Sequence, residues 1–292
     1  MTLSEYLNGS IAFLDGAMGT QLSEMGFTGG GINCIEHPEG VAAVHRKYLD
    51  AGSTLIITNS LTLNRIYNES HNVELDITGI NVRAGQIAKK AVTDFGKSGI
   101  FVLGNLGPSG QMLEPYGDIT EEASKAAYVE QAKALAEGGV DGFIIETMYD
   151  LNETLLAVAG CKAAAPHLPV LASLSFSTIE NGGRTVMGND AATIAIELTK
   201  AGAAAIGTNC GDIDPFEAAK IIAAYRANTD LPLFAEPNAG KPRLEGTKTV
   251  FDMGPDEFTR GLEACRSAGA TILGGCCGTT PEHIAALTAQ IT

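Results

Sequence analysis

Eight short apolar runs alternate with eight amphipathic segments along this chain of 292 residues, and this alternation constrains the fold more than any other feature. The runs have the length and β-branched content of buried strands, and they are residues 11–14, 54–58, 100–103, 142–146, 170–174, 204–208, 233–236 and 271–273. The helical segments that follow them are 41–51, 77–94, 121–137, 151–164, 191–201, 215–227, 255–268 and 281–290. Repeated right-handed β-α units make the strands parallel, and eight such units close into a barrel. The sequence therefore predicts an α/β fold, a single (β/α)8 TIM-type barrel, with an open doubly wound sheet as the alternative.

Helix boundary signals agree with these segments. Asp214 and Thr280 each precede a proline, which suits an N-cap residue followed by the first helical position. Gly138, Gly202 and Gly269 follow the last residues of three helical segments, where a left-handed cap favours glycine. No proline-rich or serine-rich linker divides the chain, so we expect one domain comprising residues 1–292.

Charge and hydrophobicity exclude several functional classes. Only 19 basic residues accompany 34 acidic ones, and the net charge of −15 argues against a nucleic-acid-binding protein, which needs clustered Lys and Arg. The N-terminus lacks the basic and apolar segments of a secretory signal, and no uninterrupted apolar run reaches the roughly 18 residues of a membrane span. The sequence thus predicts a cytoplasmic protein. In a reducing compartment, its six cysteines point to metal binding or chemistry rather than a disulfide scaffold.

Three of the cysteines follow predicted strands. Cys210 comes after the sixth apolar run, while Cys276 and Cys277 come after the eighth, within the string Gly-Gly-Cys-Cys-Gly. Active sites of barrel enzymes lie at the carboxyl ends of the strands, so we expect these three side chains to meet at the barrel mouth. Two consecutive ligands require an unusual backbone turn, which neighbouring glycines allow without a Cβ penalty. These glycines are Gly274, Gly275 and Gly278.

Three thiolates at one point predict a zinc site. Soft sulfur ligands favour Zn²⁺ over Mg²⁺ or Ca²⁺, and three protein ligands leave one tetrahedral position open for a substrate thiol. A free thiol with a pKa of about 8.5 is only a few per cent ionised at pH 7, whereas a metal-bound thiol is deprotonated. Packing cysteines are the structural alternative. An iron–sulfur cluster usually takes four cysteines, and nothing places Cys34, Cys161 or Cys265 nearby. The histidines share no ligand spacing.

Several longer strings then resemble a known family. They occur in order between about residues 11 and 287, and they are Asp-Gly-Ala-Met-Gly-Thr (15–20), Thr-Asn (58–59), Gly-Pro (107–108), Glu-Thr (146–147), Asn-Cys (209–210), Glu-Pro-Asn-Ala-Gly-Lys-Pro (236–242) and Gly-Gly-Cys-Cys-Gly-Thr-Thr-Pro-Glu-His-Ile (274–284). Together they resemble the zinc-dependent homocysteine S-methyltransferase family. The likeness is greatest to the homocysteine-binding module of cobalamin-dependent methionine synthase.

The resemblance implies roles for particular residues. It assigns the zinc to Cys210, Cys276 and Cys277, the same three that strand counting brings together, and it adds Glu146 to the catalytic set. It implies that the amino-acid end of homocysteine is held by Asp15, by the backbone of Gly16, Ala17 and Met18, and by Glu146. By the same resemblance Asn238 lines this pocket, and Asn59 is a weaker candidate.

The implied reaction is transfer of a methyl group to homocysteine sulfur, which gives methionine. The strings favour the cobalamin type, so we expect a methyl-corrinoid protein to donate the methyl group in trans, or this chain to be one module of a larger enzyme. A small onium donor, betaine or S-methylmethionine, is the alternative. Leu61 and Met148 stand where relatives usually carry aromatic residues, which leaves a different thiol acceptor open. A zinc or thiol sensor without turnover is the non-enzyme alternative.

Overall fold

A computed structural model describes residues 1–246 and 248–291, so Thr292, the last residue of the predicted domain, lies outside the described residues. In chain order the strands are β1 Ala12–Phe13, β2 Leu55–Ile57, β3 Phe101–Leu106, β4 Gly142–Met148, β5 Val170–Leu174, β6 Ala205–Asn209, β7 Leu233–Glu236, β8 Arg243–Glu245, β9 Lys248–Val250 and β10 Ala270–Leu273. The helices are α1 Leu3–Gly9, α2 Met18–Glu24, α3 Asn33–Glu36, α4 Pro38–Asp50, α5 Arg65–Ser70, α6 Ile77–Phe95, α7 Glu121–Glu137, α8 Leu151–Ala164, α9 Ala191–Ala201, α10 Pro215–Arg226, α11 Pro255–Ser267 and α12 Pro281–Gln290.

Eight of the strands form a parallel barrel. They pair in the order β1-β10-β7-β6-β5-β4-β3-β2, and a parallel bridge between Leu14 and Leu55 joins the two ends of the sheet. The amide of Thr54 donates to the carbonyl of Phe13 at 2.8 Å across the same junction. The predicted (β/α)8 TIM-type barrel is confirmed, and each of the eight predicted strands overlaps one strand of the barrel.

The helices extend beyond the predicted set. The eight predicted segments are α4 and α6 to α12, while α1, α2, α3, α5 and the antiparallel β8–β9 hairpin were not predicted. The predicted caps hold at Asp214 and Thr280, which each form a capping box. Gly202 adopts the left-handed conformation expected of a C-cap, but Gly138 stays right-handed and the next residue, Gly139, takes the positive φ of 88°.

Alternation along the strands builds the barrel interior in two layers. The lower layer is apolar and consists of inward side chains from every barrel strand, sealed at the strand starts by Leu3, Tyr6 and Leu7 of α1. Side chains two residues further along a strand point the same way. By this rule Glu146 faces the same way as Ile144 on β4, and Glu236 faces the same way as Phe234 on β7. The barrel therefore carries a polar layer at the carboxyl ends of its strands.

The helices cover the outside of the barrel. Their buried faces and the outward side chains of the strands form the larger apolar core. Within the described ranges, no helix combines the length and apolar character that crossing a membrane requires.

A buried histidine on α4 predicts a pH-dependent stability. His45 is fully buried, its ring nitrogens have no hydrogen-bond partner among the described residues, and burial lowers its pKa from 6.5 to about 4. The unfolded chain binds this proton below about pH 6.5, whereas the folded chain binds it only near pH 4, so His45 destabilises the fold as the pH falls through that window.

We therefore expect a His45→Leu variant to become more stable relative to wild type by about 2 kcal/mol between about pH 7.5 and pH 5.0. Urea unfolding at the two pH values measures this difference. The exposed His167 supplies the control substitution, His167→Leu. Identical pH dependence of the wild type and His45→Leu would contradict the expectation.

Candidate active site

The three predicted cysteine ligands converge at the barrel mouth. Cys210 follows β6, and Cys276 and Cys277 follow β10 by three and four residues. The Sγ atoms of Cys210 and Cys276 are 2.9 Å apart, those of Cys210 and Cys277 are 3.7 Å apart, and those of Cys276 and Cys277 are 4.0 Å apart. All three side chains are half-buried and free of disulfides. The barrel thus brings together sulfur atoms separated by up to 67 residues in sequence.

Close backbone packing, more than special dihedral angles, explains the glycines beside the cysteine pair. Only Gly278 has a positive φ, of 78°. A Cβ on Gly274 would lie 2.4 Å from Leu14 Cβ, and one on Gly275 would lie 2.4 Å from Thr279 Cγ2. Gly274 is therefore needed because the loop passes against the residues after β1, and Gly275 because Thr279 of the same loop packs against it, not because of the turn that was predicted for them.

Hydrogen bonds among the three thiols shift the pKa values of Cys276 and Cys277 in opposite directions. The pKa of Cys277 is lowered to about 3, because the Cys210 and Cys276 thiols donate to its sulfur. The pKa of Cys276 is raised well above its ordinary value by the hydrogen bonds to Cys210 and Cys277. A divalent cation that bound the three sulfurs would displace the protons that Cys210 and Cys276 retain.

Two of the three spacings between the sulfur atoms fit a tetrahedral metal site. With zinc–sulfur bonds of 2.3 Å, the edge of a tetrahedron is about 3.8 Å. The spacings of 3.7 and 4.0 Å match this edge, while the spacing of 2.9 Å between Cys210 and Cys276 must widen. Among the described residues, these three are the one group of His, Cys, Asp and Glu side chains that converges as metal ligands would. The donor set, three soft sulfurs, suits Zn²⁺.

A cavity of about 280 Å³ opens beside the sulfurs and is lined by buried acids. The side chains of Asp15, Glu146 and Glu236 are only 2%, 7% and 3% exposed. Burial raises the pKa of Glu146 to about 7, and it raises those of Asp15 and Glu236 well above their ordinary values, with a further contribution from the charge of Glu146. The lining contains no Lys, Arg or His, so the carboxyl groups have no cation beside them in the cavity.

The first β-α loop forms another wall of the same cavity. Gly16, Ala17 and Met18 all line it, as expected. The amide of Ala17 donates to Thr279 Oγ1 at 3.1 Å and is therefore already engaged, whereas the amides of Gly16 and Met18 have no partner among the described residues. Tyr48 fixes this loop from below, because its hydroxyl donates to the carbonyl of Ala17 at 3.0 Å.

A second, more open cavity of about 400 Å³ lies on the other side of the thiols. It shares Cys210, Cys277 and Thr147 with the first cavity. Asn238 lines this second cavity rather than the one that holds the acids, and its Nδ2 donates to the carbonyl of Gly211 at 3.0 Å. Cys210 and Cys277 therefore border both cavities.

The two positions that lack the usual aromatic residues differ in their location. Leu61 lines the first cavity, so its substitution does alter a wall. Met148 is fully buried in the core between barrel and helices, so it removes no wall of either cavity. Tyr149 and Phe176 line the second cavity. Asn59 lines the first cavity, where its Nδ2 donates to the carbonyl of Gly30 at 3.0 Å.

Two polar side chains of the site were not predicted. Glu236 contributes a third acid, and its Oε2 atom is buried without a hydrogen-bond partner among the described residues. Asn209 is 1% exposed and contacts the Cys276 sulfur. The period of two along β7 could have indicated Glu236, because it places this residue above the inward-facing Phe234.

The comparison with known families decides which family the chain belongs to. A family profile described as homocysteine S-methyltransferase matches residues 12–291. The chain belongs to the homocysteine S-methyltransferase family. The family inferred from the sequence strings is thereby confirmed.

Two methionine synthases are similar to this member of the family. That of Mycobacterium leprae (strain TN) is 29% identical over 293 aligned positions, which cover 95% of this chain and 24% of that protein. That of Mycobacterium tuberculosis (strain ATCC 25618 / H37Rv) is 28% identical over 305 positions, which cover 99% of this chain and 25% of that protein. The chain thus spans about a quarter of the length of the curated relatives it matches.

Solved structures of one homocysteine methyltransferase share the fold. The metallated form of MmuM from Escherichia coli superposes with a TM-score of 0.80 at 24% identity, and the alignment covers 98% of both chains. Its apo form gives a TM-score of 0.74 at 25% identity and 96% coverage of both chains. The barrel of this chain therefore corresponds to that of MmuM nearly from end to end.

Proposed function

We propose that this chain transfers a methyl group to the sulfur of homocysteine, giving methionine, with Zn²⁺ held by Cys210, Cys276 and Cys277. The observation that carries the proposal is that the three sulfurs and three buried acids line the same cavity. A thiol and an ammonium on one small molecule match these two features. The family and the metallated form of MmuM support the same assignment.

The three thiols suit a metal that activates a substrate thiol. Zinc bound here would supply Lewis-acid activation, keeping the sulfur of an added thiol deprotonated at neutral pH. The cavity excludes bulk water from much of the site, since the carboxyl side chains around it are buried. The nucleophile therefore needs no general base beside it once its proton has left.

The buried acids suit the ammonium group of the substrate. Asp15, Glu146 and Glu236 lie in a cavity whose lining offers no cation, and an ammonium would offset the cost of their burial. The free amides of Gly16 and Met18 lie in the same cavity and can donate to the substrate carboxylate. Binding both the ammonium and the carboxylate would orient the substrate sulfur toward the three cysteines and contribute to catalysis by orientation.

For the methyl donor we propose a methyl-corrinoid carried by a separate protein or module. Likeness to methionine synthases along 95% of the chain supports this choice. So do exposed apolar side chains on the connections that follow β3, β5 and β7, at the carboxyl end of the barrel, since exposed apolar surface marks docking sites. These side chains are Met112, Tyr116, Val186, Met187 and Leu244.

A small onium donor is the second candidate, and one observation favours it. The second cavity, which reaches Cys210 and Cys277, is lined by Tyr149, Phe176 and Phe251 and by no Lys or Arg. Aromatic faces attract sulfonium and quaternary ammonium groups. In either case the homocysteine sulfur bonds to the methyl carbon as the bond between that carbon and the donor breaks. The electron pair of the broken bond leaves with the donor.

A turnover assay separates these possibilities. Zinc-loaded protein is given homocysteine with methylcobalamin, betaine or S-methylmethionine, and methionine is measured. We expect methionine from methylcobalamin; methionine from an onium compound alone would instead support the second candidate. Binding of homocysteine in calorimetry with no methionine from any donor would overturn the enzymatic proposal in favour of a thiol sensor. Clear binding of another thiol, but not of homocysteine, would overturn the acceptor.

A further inference from the structure

We propose that Asn209 is a positioning residue that fixes the distance between the Glu146 carboxylate and the Cys276 sulfur. The inference rests on the proposed function, in which the first group binds the ammonium of the substrate and the second is a metal ligand. Asn209 ends β6 and its side chain points into the polar layer, 1% exposed. It is the residue before Cys210 and lies between the two halves of the site.

The hydrogen bonds of Asn209 determine the orientation of its amide. Its Oδ1 accepts from the backbone amide of Thr147 at 2.8 Å and from the hydroxyl of Ser173 at 2.6 Å. A backbone amide can only donate, so the oxygen of Asn209 must face Thr147. The Nδ2 group therefore faces the opposite side, toward Glu146 and the cysteines.

Three acceptor atoms lie within hydrogen-bonding distance of the Asn209 Nδ2 group, which has two hydrogens to share among them. They are Thr147 Oγ1 at 3.0 Å, Glu146 Oε2 at 3.4 Å and Cys276 Sγ at 3.8 Å. One planar amide thus contacts the acid of β4 and the sulfur of the loop that follows β10. An N–H group beside a metal-binding sulfur is an outer-shell interaction, which orients the ligand and tunes its donor strength.

Two unusual backbone conformations meet at this amide. Thr147 has φ of 63° and Cys210 has φ of 51°, in the left-handed region that residues other than glycine rarely occupy, and the β-branched Thr147 is especially unusual there. Both directly follow buried polar residues, Glu146 near the carboxyl end of β4 and Asn209 at the end of β6, and β5 lies between these two strands in the barrel. Strained residues persist only where their surroundings hold them, and for Thr147 the Asn209 side chain bonds both the amide and the hydroxyl.

Alanine and serine variants of Asn209 test the role. We expect Asn209→Ala to weaken metal affinity by about 10-fold or more, measured by chelator competition, and to shift the thiolate-to-metal charge-transfer band of the Co²⁺-loaded protein. The KM for homocysteine should rise more than kcat falls. Asn209→Ser, a milder change for folding, should shift both readouts in the same direction. Thr208→Val changes the preceding residue of the same strand, whose hydroxyl has no partner among the described residues and which lines neither cavity, so it is the control and should keep the wild-type band.

The positioning role would be overturned if variants that fold, as judged by thermal unfolding, kept a metal affinity within twofold of wild type and an unshifted band. Both readouts precede any methyl transfer. If the variants shift the band but the wild-type protein makes no methionine, the positioning role of Asn209 stands and the proposed function fails. If the wild-type protein makes methionine but the variants leave the band unshifted, the proposed function stands and the positioning role fails. A wild-type chain that binds no Co²⁺ or Zn²⁺ would overturn both.

Discussion

Replacing Cys277 with alanine should remove the bound metal and lower kcat/KM for homocysteine methylation on the order of 1000-fold. Metal activation contributes several kcal/mol to such reactions, and one kcat/KM decade corresponds to about 1.4 kcal/mol. Cys277 is a suitable ligand to remove, because this residue, like Cys210, borders both cavities. Elemental analysis of the purified variant gives the metal content, and the turnover assay gives the rate.

A matched variant separates this effect from a general loss of cysteine. Cys161 is fully buried on α8, outside both cavities, so Cys161→Ala should keep the metal and the rate at the cost of some stability. If Cys277→Ala retained full metal content and full turnover, the three-cysteine site would play no part in the reaction.

The barrel itself was predictable because its strands are buried on both faces. Such strands read as short apolar runs, and each run predicted from the sequence coincides with a barrel strand. The β8–β9 hairpin gave no such signal, because Arg243, Leu244 and Glu245 of β8 are all exposed and bury no face. Helix α1, which covers the end of the barrel where the strands begin, was not predicted either, because its contacts are with strands far along the chain.

The site was predictable to the extent that its residues end strands or belong to recognisable strings. The cysteines meet both conditions, and the structure brings them together as expected. Asn209 lies in one of the strings, but its contacts with Thr147 and Cys276 cross 62 and 67 residues and depend on which barrel strands are adjacent. Local sequence patterns carry no information about such contacts.

The three acids of the first cavity differ in how firmly their surroundings hold them. Asp15 accepts from the amide of Ile57 at 2.9 Å, and Glu236 has one oxygen without a partner among the described residues. Glu146 contacts Asn209 at 3.4 Å and lies in the strand that also supplies Thr147 to both cavities. Glu146 is therefore the acid best placed to fix the ammonium relative to the sulfurs.

A Glu146→Gln variant keeps the shape of this side chain and removes its charge. We expect the KM for homocysteine to rise by about 30-fold to 150-fold, with a smaller change in kcat, because a charged hydrogen bond in a buried site contributes about 2–3 kcal/mol. Steady-state kinetics at saturating donor measure both constants. Metal content should stay at the wild-type level, since the three cysteines are untouched.

A substrate that lacks the ammonium distinguishes a direct contact from a general disturbance of the site. 4-Mercaptobutanoate has the thiol and carboxylate of homocysteine without its amino group, so it cannot use Glu146 as a partner. The wild type should have a much higher kcat/KM for homocysteine than for 4-mercaptobutanoate. Glu146→Gln should lower the kcat/KM for homocysteine much more than that for 4-mercaptobutanoate, so that most of the preference is lost. If the substitution slowed both thiols by the same factor, Glu146 would not contact the ammonium. The acids Asp15 and Glu236 would then have to hold it, because the lining of the cavity offers no other carboxylate.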